Sequence, residues 1–77
     1  MAETLHNTLK AERERLDLTQ AALAERVGVS RKTINTVENG IFVPSTILAL
    51  KLAVALDRPV ETLFRLDDPS VSPKQDT

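Results

Sequence analysis

The chain has 77 residues, a formal net charge of -1, a hydrophobic fraction of 42% and no cysteine. This length supports a single domain around one small core, because chains of about 60 residues bury only about 60% of the surface that they expose when unfolded. The composition excludes disulfide bonds, thiolate metal sites and a second domain, so the fold has to be stabilised by packing or by self-association.

The sequence contains no segment that predicts export or membrane insertion. The N-terminal residues MAETLHNTLK lack the apolar run of a signal peptide, and the longest apolar segment, residues 47–56, contains Lys51 and is too short to span a bilayer. We therefore expect a cytoplasmic protein with no membrane partner. The net charge argues weakly against nucleic-acid binding, but every charged residue between Arg26 and Glu38 is basic, so the local charge has to be considered.

Regularly spaced leucines predict the first helix. Leu5, Leu9 and Leu16 recur at helical intervals, so we expect a helix from about Leu5 to Leu16. Arg13 falls on the same apolar stripe, where an unpaired charge would be unfavourable. The sequence therefore predicts a partner for Arg13 elsewhere in the chain.

Cap residues define the next two helices. Thr19 is a suitable N-cap for a second helix that extends to Val27, and Gly28 ends that helix because glycine readily adopts a positive φ. Ser30 is a suitable N-cap for a third helix that extends to about Glu38, where the dipeptide Asn-Gly ends it. The two helices are so close together that they must cross at a steep angle.

The third predicted helix has one apolar face and one polar face. At 100° per residue, Ile34 and Val37 lie at the centre of the apolar face, and small Ala24 lets the second helix approach it. The opposite face contains no carboxylate and is formed by Lys32, Asn35, Thr36 and Asn39. Arg31 lies beside this face in the first turn, so its long side chain also reaches outward.

The fourth predicted helix is apolar on two sides. Pro44 and Ser45 open it, and it extends to about Leu56. Its inward face is formed by Leu48, Ala49, Leu52, Ala53 and Leu56. A second apolar stripe, which usually indicates a second buried contact, is formed by Ile47, Leu50 and Val54.

The C-terminal part of the chain predicts a short helix and a tail. A fifth helix is expected near Val60–Phe64, and no pair of strands is expected anywhere. Residues 67–77 are rich in proline and polar residues, so they are predicted to be a disordered polar tail. The folded domain would then comprise residues 1–66.

The segment LTQAALAERVGVSRKTINTVENG resembles the helix-turn-helix of phage repressor and Cro-type transcription regulators, and the resemblance extends from Leu9 to about Phe64. It implies an all-α fold, a compact five-helix lambda-repressor-like domain with its helix-turn-helix at about residues 19–39. It also implies that double-stranded DNA is the partner. Relatives often carry Gly where this chain has Asp17 and Asp57, so we expect left-handed turns at these two aspartates.

The resemblance implies specific roles on the DNA. In the family, the third helix enters the major groove with its N-terminal residues at the base edges. The matching positions, which we expect to read bases, are Arg31, Lys32, Asn35 and Thr36. The positions that match phosphate contacts are Gln20 and Asn39, with Thr19 as a weaker candidate because it is also a helix cap. A solvated polar face with no ligand is the alternative interpretation of these residues.

Relatives also tie the first helix to the third with an ion pair, which predicts a structural pair between Arg13 and Glu38. The outward stripe of the fourth helix predicts a homodimer interface formed by Ile47, Leu50 and Val54, with Leu63, Phe64 and Leu66 as further contributors. Incidental surface hydrophobicity is the alternative.

Two functional classes remain open at this point. The first is a sequence-specific transcriptional regulator, a homodimeric repressor on a pseudo-palindromic operator. The alternative is an antitoxin-like protein-interaction module whose outer apolar stripe binds another protein. An enzyme is not expected: the single histidine, His6, has no cysteine or carboxylate cluster with which to form a catalytic or metal site, so we predict no catalytic residues, metal, cofactor or small-molecule substrate.

Overall fold

Five helices and two short strands form residues 4–66, the part of the chain that the computed structural model describes. In chain order the elements are β1 (Leu5–Asn7), α1 (Leu9–Arg15), α2 (Gln20–Val27), α3 (Arg31–Glu38), α4 (Thr46–Leu56), α5 (Val60–Leu63) and β2 (Phe64–Leu66). The predicted tail, residues 67–77, lies outside the described residues. Within the described range, none of the helices has the length and apolarity needed to cross a membrane.

Side-chain caps set the start of three helices where the sequence predicts them. The hydroxyl groups of Thr19, Ser30 and Ser45 accept hydrogen bonds from backbone N–H groups in the first turns of α2, α3 and α4. Each of these bonds satisfies one of the donors that a helix start leaves without an intrahelical partner. The predicted starts of α2, α3 and α4 are therefore confirmed.

Left-handed residues end several helices. Gly28 has φ 75° after α2, and Asp57 has φ 56° after α4. Asp17, which follows α1, has φ 58°. The two aspartates thus adopt the left-handed turns expected of them, at positions where a side chain with a β-carbon is strained relative to glycine.

The prediction of a helix beginning at Leu5 was wrong, as was the prediction that the chain has no strand pair. Residues Leu5–Asn7 form β1, which pairs antiparallel with β2 so that Leu5 lies opposite Leu66. The side chain of Asn7 accepts a hydrogen bond from the Leu9 N–H at 3.0 Å, and α1 begins there. A short polar side chain that bonds to nearby backbone favours a helix start over a helix interior, and the strand partner is too distant in the sequence for local periodicity to reveal it.

The core lies between the inward faces of the five helices. Its fully buried side chains come from every helix and are Leu9, Leu23, Ile34, Val37, Leu52, Leu56 and Leu63. α2 and α3 make the most extensive contact of any two elements, and Ala24 and Val27 of α2 are buried. This packing fixes α3 against the domain and leaves its other face exposed.

Leu63 corrects one predicted interface residue. Its side chain is 0% exposed in the core, because the single turn of α5 points it inward while its carbonyl accepts a hydrogen bond from the Thr8 N–H. Leu63 is therefore unavailable to a second molecule, and its assignment to the dimer interface was wrong. Phe64 packs partly against the core, and Leu66 remains exposed.

Partly exposed polar contacts hold the end of α4 to α1. Arg15 Nη2 donates to the carbonyl oxygen of Leu56 at 2.9 Å, and Glu12 Oε1 accepts from the Nε atoms of both Arg15, at 2.7 Å, and Arg58, at 3.2 Å. The hydrogen bond from Arg15 is the largest cause of a lowered pKa at the Glu12 carboxyl; desolvation opposes it and the charge of Arg58 assists it.

Candidate nucleic-acid interface

The outward face of α3 is open to solvent. Arg31, Lys32 and Asn35 are exposed, whereas Ile34 and Val37 on the same helix are buried. Thr36 is half-buried, and its hydroxyl donates to the Thr33 carbonyl oxygen at 2.9 Å. Because this hydroxyl proton is engaged within the helix, the hydroxyl of Thr36 can only accept a hydrogen bond from a ligand, and its methyl group is the apolar part of the side chain.

The electrostatics of α3 are positive on the exposed side. The only carboxylate on this helix is Glu38, whose side chain is 3% exposed and is paired with Arg13. The two cations of the helix, Arg31 and Lys32, have no carboxylate beside them on the exposed face. Such a surface suits a polyanion and is able to donate hydrogen bonds to the acceptor-rich edge of guanine.

The two asparagines of this face contact each other. Asn39 Nδ2 donates to Asn35 Oδ1 at 3.3 Å, and both side chains are exposed. This bond joins a predicted base-reading residue to a predicted phosphate contact. Since both partners are in solvent, the bond can be exchanged for contacts with DNA at small cost.

Arg13 and Glu38 meet through the two-pronged contact that the sequence predicts. Arg13 Nε lies 2.6 Å from Glu38 Oε2, and Arg13 Nη2 lies 3.2 Å from Glu38 Oε1. Arg13 Nη1 also donates to the carbonyl oxygen of Leu18 at 2.8 Å. The hydrogen bonds to Glu38 raise the pKa of Arg13 above its ordinary value, although desolvation acts in the other direction. This arrangement ties α1 to the end of α3 and to the residues that precede α2.

Gln20 also belongs to this network, which the sequence did not predict. Its Nε2 atom donates to Glu38 Oε1 at 3.0 Å. Gln20 is the first residue of α2, so the bond joins the start of α2 to the end of α3. Thr19, directly before it, is exposed and accepts from the Ala22 N–H at 3.0 Å, which makes it a helix cap.

Asn7 also contacts the end of α3, and sequence reasoning missed this contact as well. Its Nδ2 atom donates to the carbonyl oxygen of Val37 at 3.0 Å, while its Oδ1 atom caps α1. The pair Asn7–Thr8 directly before the apolar residue Leu9 was the available signal, because Asn and Thr are favoured at helix starts. Nothing in the local sequence indicates the contact with Val37.

The outward stripe of α4 is a separate, apolar surface. Ile47, Leu50 and Val54 are 68%, 53% and 83% exposed. A groove of about 780 Å³ runs between this stripe and the end of α2. Its other lining residues are Glu25, Arg26, Val27, Gly28, Lys51 and Ala55. Among the described residues, no group of three or more His, Cys, Asp or Glu side chains is placed to hold a metal ion.

Comparison with known proteins gives consistent matches. A family model described as Helix-turn-helix matches residues 9–63. An uncharacterised helix-turn-helix transcriptional regulator from Methanothermobacter thermautotrophicus is 46% identical over 65 residues, which cover 83% of this chain and 94% of that protein. The uncharacterised regulator YgzD from Bacillus subtilis is 39% identical over 64 residues, covering 83% of this chain and 97% of that protein.

Two solved structures share the fold. The restriction-modification controller protein C.AhdI from Aeromonas hydrophila superposes with a TM-score of 0.69 at 38% sequence identity, covering 73% of this chain and 85% of that chain. LexA from Eubacterium rectale, an SOS-response transcriptional repressor, superposes with a TM-score of 0.68 at 25% identity, covering 90% of this chain and 71% of that chain.

Proposed function

The chain belongs to the Cro/C1-type helix-turn-helix family of DNA-binding transcription regulators, and from this premise we propose that it is a homodimeric repressor that binds a pseudo-palindromic operator through α3. The observation that carries the proposal is the outward face of α3, which is cationic, exposed and without a carboxylate. In this family of folds such a helix lies in the major groove with its first turn at the base edges.

The first two turns of α3 supply the base readout. Arg31 and Lys32 suit the O6 and N7 acceptors of guanine, and Asn35 suits the N6 and N7 atoms of adenine once its contact with Asn39 is released. The methyl group of Thr36 suits the methyl group of thymine. These four residues therefore provide three different chemical preferences, with guanine favoured by both Arg31 and Lys32.

Phosphate contacts flank this readout at both ends. Gln20 lies at the start of α2, where the helix dipole favours an anion. Asn39 lies directly after α3, and Thr19 contributes its backbone more than its hydroxyl, because the hydroxyl caps α2. These contacts fix the orientation of the domain on the duplex and read no sequence.

The homodimer forms through the outward stripe of α4. Its three exposed apolar side chains supply part of the roughly 800 Å² per partner that is usual for stable interfaces. The groove beside the stripe and the exposed side chain of Leu66, with Phe64 at the edge, supply further apolar surface. A two-fold axis through this region would present two α3 helices to successive major grooves.

Repression follows from occupancy of a promoter by such a dimer. One relative in fold, LexA, is described as a transcriptional repressor, which supports this outcome over activation.

Selection of bound sequences from random duplex DNA tests the proposal. We expect an inverted repeat whose half-sites are centred about 10 base pairs apart, roughly 34 Å. A single unrepeated half-site would contradict the dimer. No enriched sequence, together with a monomer in sedimentation, would contradict the function and favour an antitoxin-like module whose apolar stripe binds another protein.

A further inference from the structure

Glu38 lies where the structural ion pair meets the predicted DNA surface. Its Oε1 atom accepts hydrogen bonds from Arg13 Nη2 at 3.2 Å and from Gln20 Nε2 at 3.0 Å, and its Oε2 atom accepts from Arg13 Nε at 2.6 Å. The Glu38 side chain is 3% exposed, and these three hydrogen bonds satisfy its two carboxylate oxygens. One buried group thereby contacts both α1 and the first residue of α2.

A carboxylate constrains the amide of Gln20 because it accepts hydrogen bonds and donates none. Only the nitrogen of the Gln20 amide can face Glu38, since the opposite orientation would place two oxygens against each other. The amide nitrogen has two hydrogens, and Glu38 engages one of them. The second hydrogen is left to donate to another acceptor, such as a phosphate oxygen.

We propose that Glu38 is a positioning residue for DNA binding, which orients the Gln20 side chain so that its second N–H donates to a backbone phosphate at the start of α2. This inference rests on the proposed function, because it requires the contact between Gln20 and phosphate. Glu38 itself does not touch DNA in this proposal, since its side chain is buried.

Arg13 offsets the energetic cost of burying the Glu38 carboxylate at this position. An unpaired buried carboxylate near a phosphate would be costly to bury and would repel the ligand. Arg13 neutralises Glu38 with two hydrogen bonds and is itself fixed by the bond from its Nη1 atom to the Leu18 carbonyl oxygen. The ion pair thus holds the Glu38 carboxylate in place and permits it to orient Gln20.

The test is a mutant cycle on operator affinity, measured at one salt concentration with the operator obtained by selection. Gln20→Ala is introduced into the natural chain and into the double variant Arg13→Met, Glu38→Met. The double variant removes both charges together, which buried pairs usually tolerate better than the loss of one. We expect Gln20→Ala to weaken binding about fivefold in the natural chain and less than about twofold in the double variant.

Arg13→Lys is the matched control. It exchanges the planar fork for a point charge and should lower the melting temperature, while Glu38 remains available to Gln20. The loss caused by Gln20→Ala should therefore stay about fivefold in this background. A purely structural role of Glu38 would change melting temperatures but would leave the effect of Gln20→Ala the same in every background.

The outcomes separate the positioning role of Glu38 from the proposed phosphate contact of Gln20. Equal losses from Gln20→Ala in all backgrounds would overturn the positioning role and leave the proposed function intact. No loss in the natural chain would remove the phosphate contact and overturn both assignments for Gln20.

If the double variant does not fold, the side-chain amide signals of Gln20 in the NMR spectrum of the natural chain decide. We expect only one of its two amide protons to shift strongly on addition of the operator, because Glu38 already engages the other, and equal shifts of both protons would overturn the inference.

Discussion

α3 and α4 follow each other in the chain but expose opposite kinds of surface. α3 buries two apolar residues and presents Arg31, Lys32 and Asn35 to solvent. α4 buries Leu48, Leu52 and Leu56 and yet presents a second apolar stripe, of which Val54 is 83% exposed. The first surface suits a charged, water-filled groove, whereas contiguous exposed apolar side chains like those of the second often mark interaction sites. The difference supports the proposal that α3 binds DNA and that α4 binds a second protein molecule.

The contacts that hold these helices to α1 differ as well. The end of α3 is held by a buried carboxylate and Arg13, whereas the end of α4 is held by the partly exposed group Glu12, Arg15 and Arg58. Water and salt weaken exposed pairs far more than buried ones. The placement of α3 should therefore depend strongly on its contact with α1, and the placement of α4 mainly on its apolar packing.

The largest effect is expected from a charge on the apolar stripe. In the proposed dimer, Val54→Glu would place two like charges near the two-fold axis in a desolvated contact. We expect the protein to stay helical, to sediment as a monomer and to lose roughly a thousandfold in operator affinity, about 4 kcal/mol. Weak, salt-sensitive binding should remain through Arg31, Lys32 and Gln20. Sedimentation and operator titration on one sample measure both effects.

Ala11→Glu is the matched control for this variant. It adds the same charge at an exposed position of α1, outside both helices under comparison. It should remain dimeric with nearly natural affinity. If Val54→Glu behaves like Ala11→Glu, the stripe is ordinary surface and the interface has to be sought near Phe64 and Leu66.

The second-largest effect is expected when the buried ion pair between Arg13 and Glu38 is broken. Arg13→Ala or Glu38→Ala leaves one charge buried and unpaired, which should lower the free energy of unfolding by about 3 kcal/mol. Removal of both charges, in Arg13→Met with Glu38→Met, should cost less than either single change. Urea unfolding monitored by circular dichroism measures all three variants. If either single variant is as stable as the natural chain, water replaces the lost partner without cost, and the prediction is wrong.

Base readout by α3 should give smaller and more specific losses. Arg31→Ala and Lys32→Ala should each weaken operator binding by about 1–3 kcal/mol and relax the preference at one base pair. Gln20→Ala should weaken binding to operator and random DNA alike, because phosphate contacts are the same on every sequence. Lys10→Ala, an exposed cation on α1, is the charge-matched control. Equal losses of Arg31→Ala and Lys32→Ala on both kinds of DNA would reject base reading by α3.

Local sequence was sufficient for most of the fold. Thr19, Ser30 and Ser45 mark helix starts by their own chemistry, and Gly28 marks an end, so α2, α3 and α4 were predictable to within a residue. The start of α1 was not predictable, because the spacing of Leu5 and Leu9 suits a helix as well as a strand followed by a helix cap. The strand pair joins residues about sixty positions apart, and local periodicity carries no information about such a distance.

The candidate site was predictable only in part, because several of its contacts join residues that are distant in the sequence. The outward face of α3 follows from helical geometry alone. The bond between Gln20 and Glu38 and the bond between Asn7 and Val37 depend on how α1, α2 and α3 pack, which no single segment encodes. Burial of Leu63 was missed because one turn of helix is too short to show a periodic face.

The smallest expected effect is a dependence of stability on pH. It distinguishes the partly exposed contact between α1 and the end of α4 from the buried contact between α1 and α3. The pKa of Glu12 is lowered from its ordinary value of 4.5, chiefly by the hydrogen bond from Arg15. A carboxyl whose pKa is lower in the folded state stabilises the fold at pH values above its unfolded pKa, and this contribution is lost as the pH falls through the folded pKa. Glu12→Gln should therefore melt slightly below the natural chain at pH 7, and the difference should vanish well below pH 4.5. Glu61→Gln, on the exposed face of α5, is the control and should follow the natural chain at both pH values. A difference for Glu12→Gln that persists in acid would show that the side chain contributes by packing and not by its charge, and α4 would then be held to α1 without help from this carboxylate.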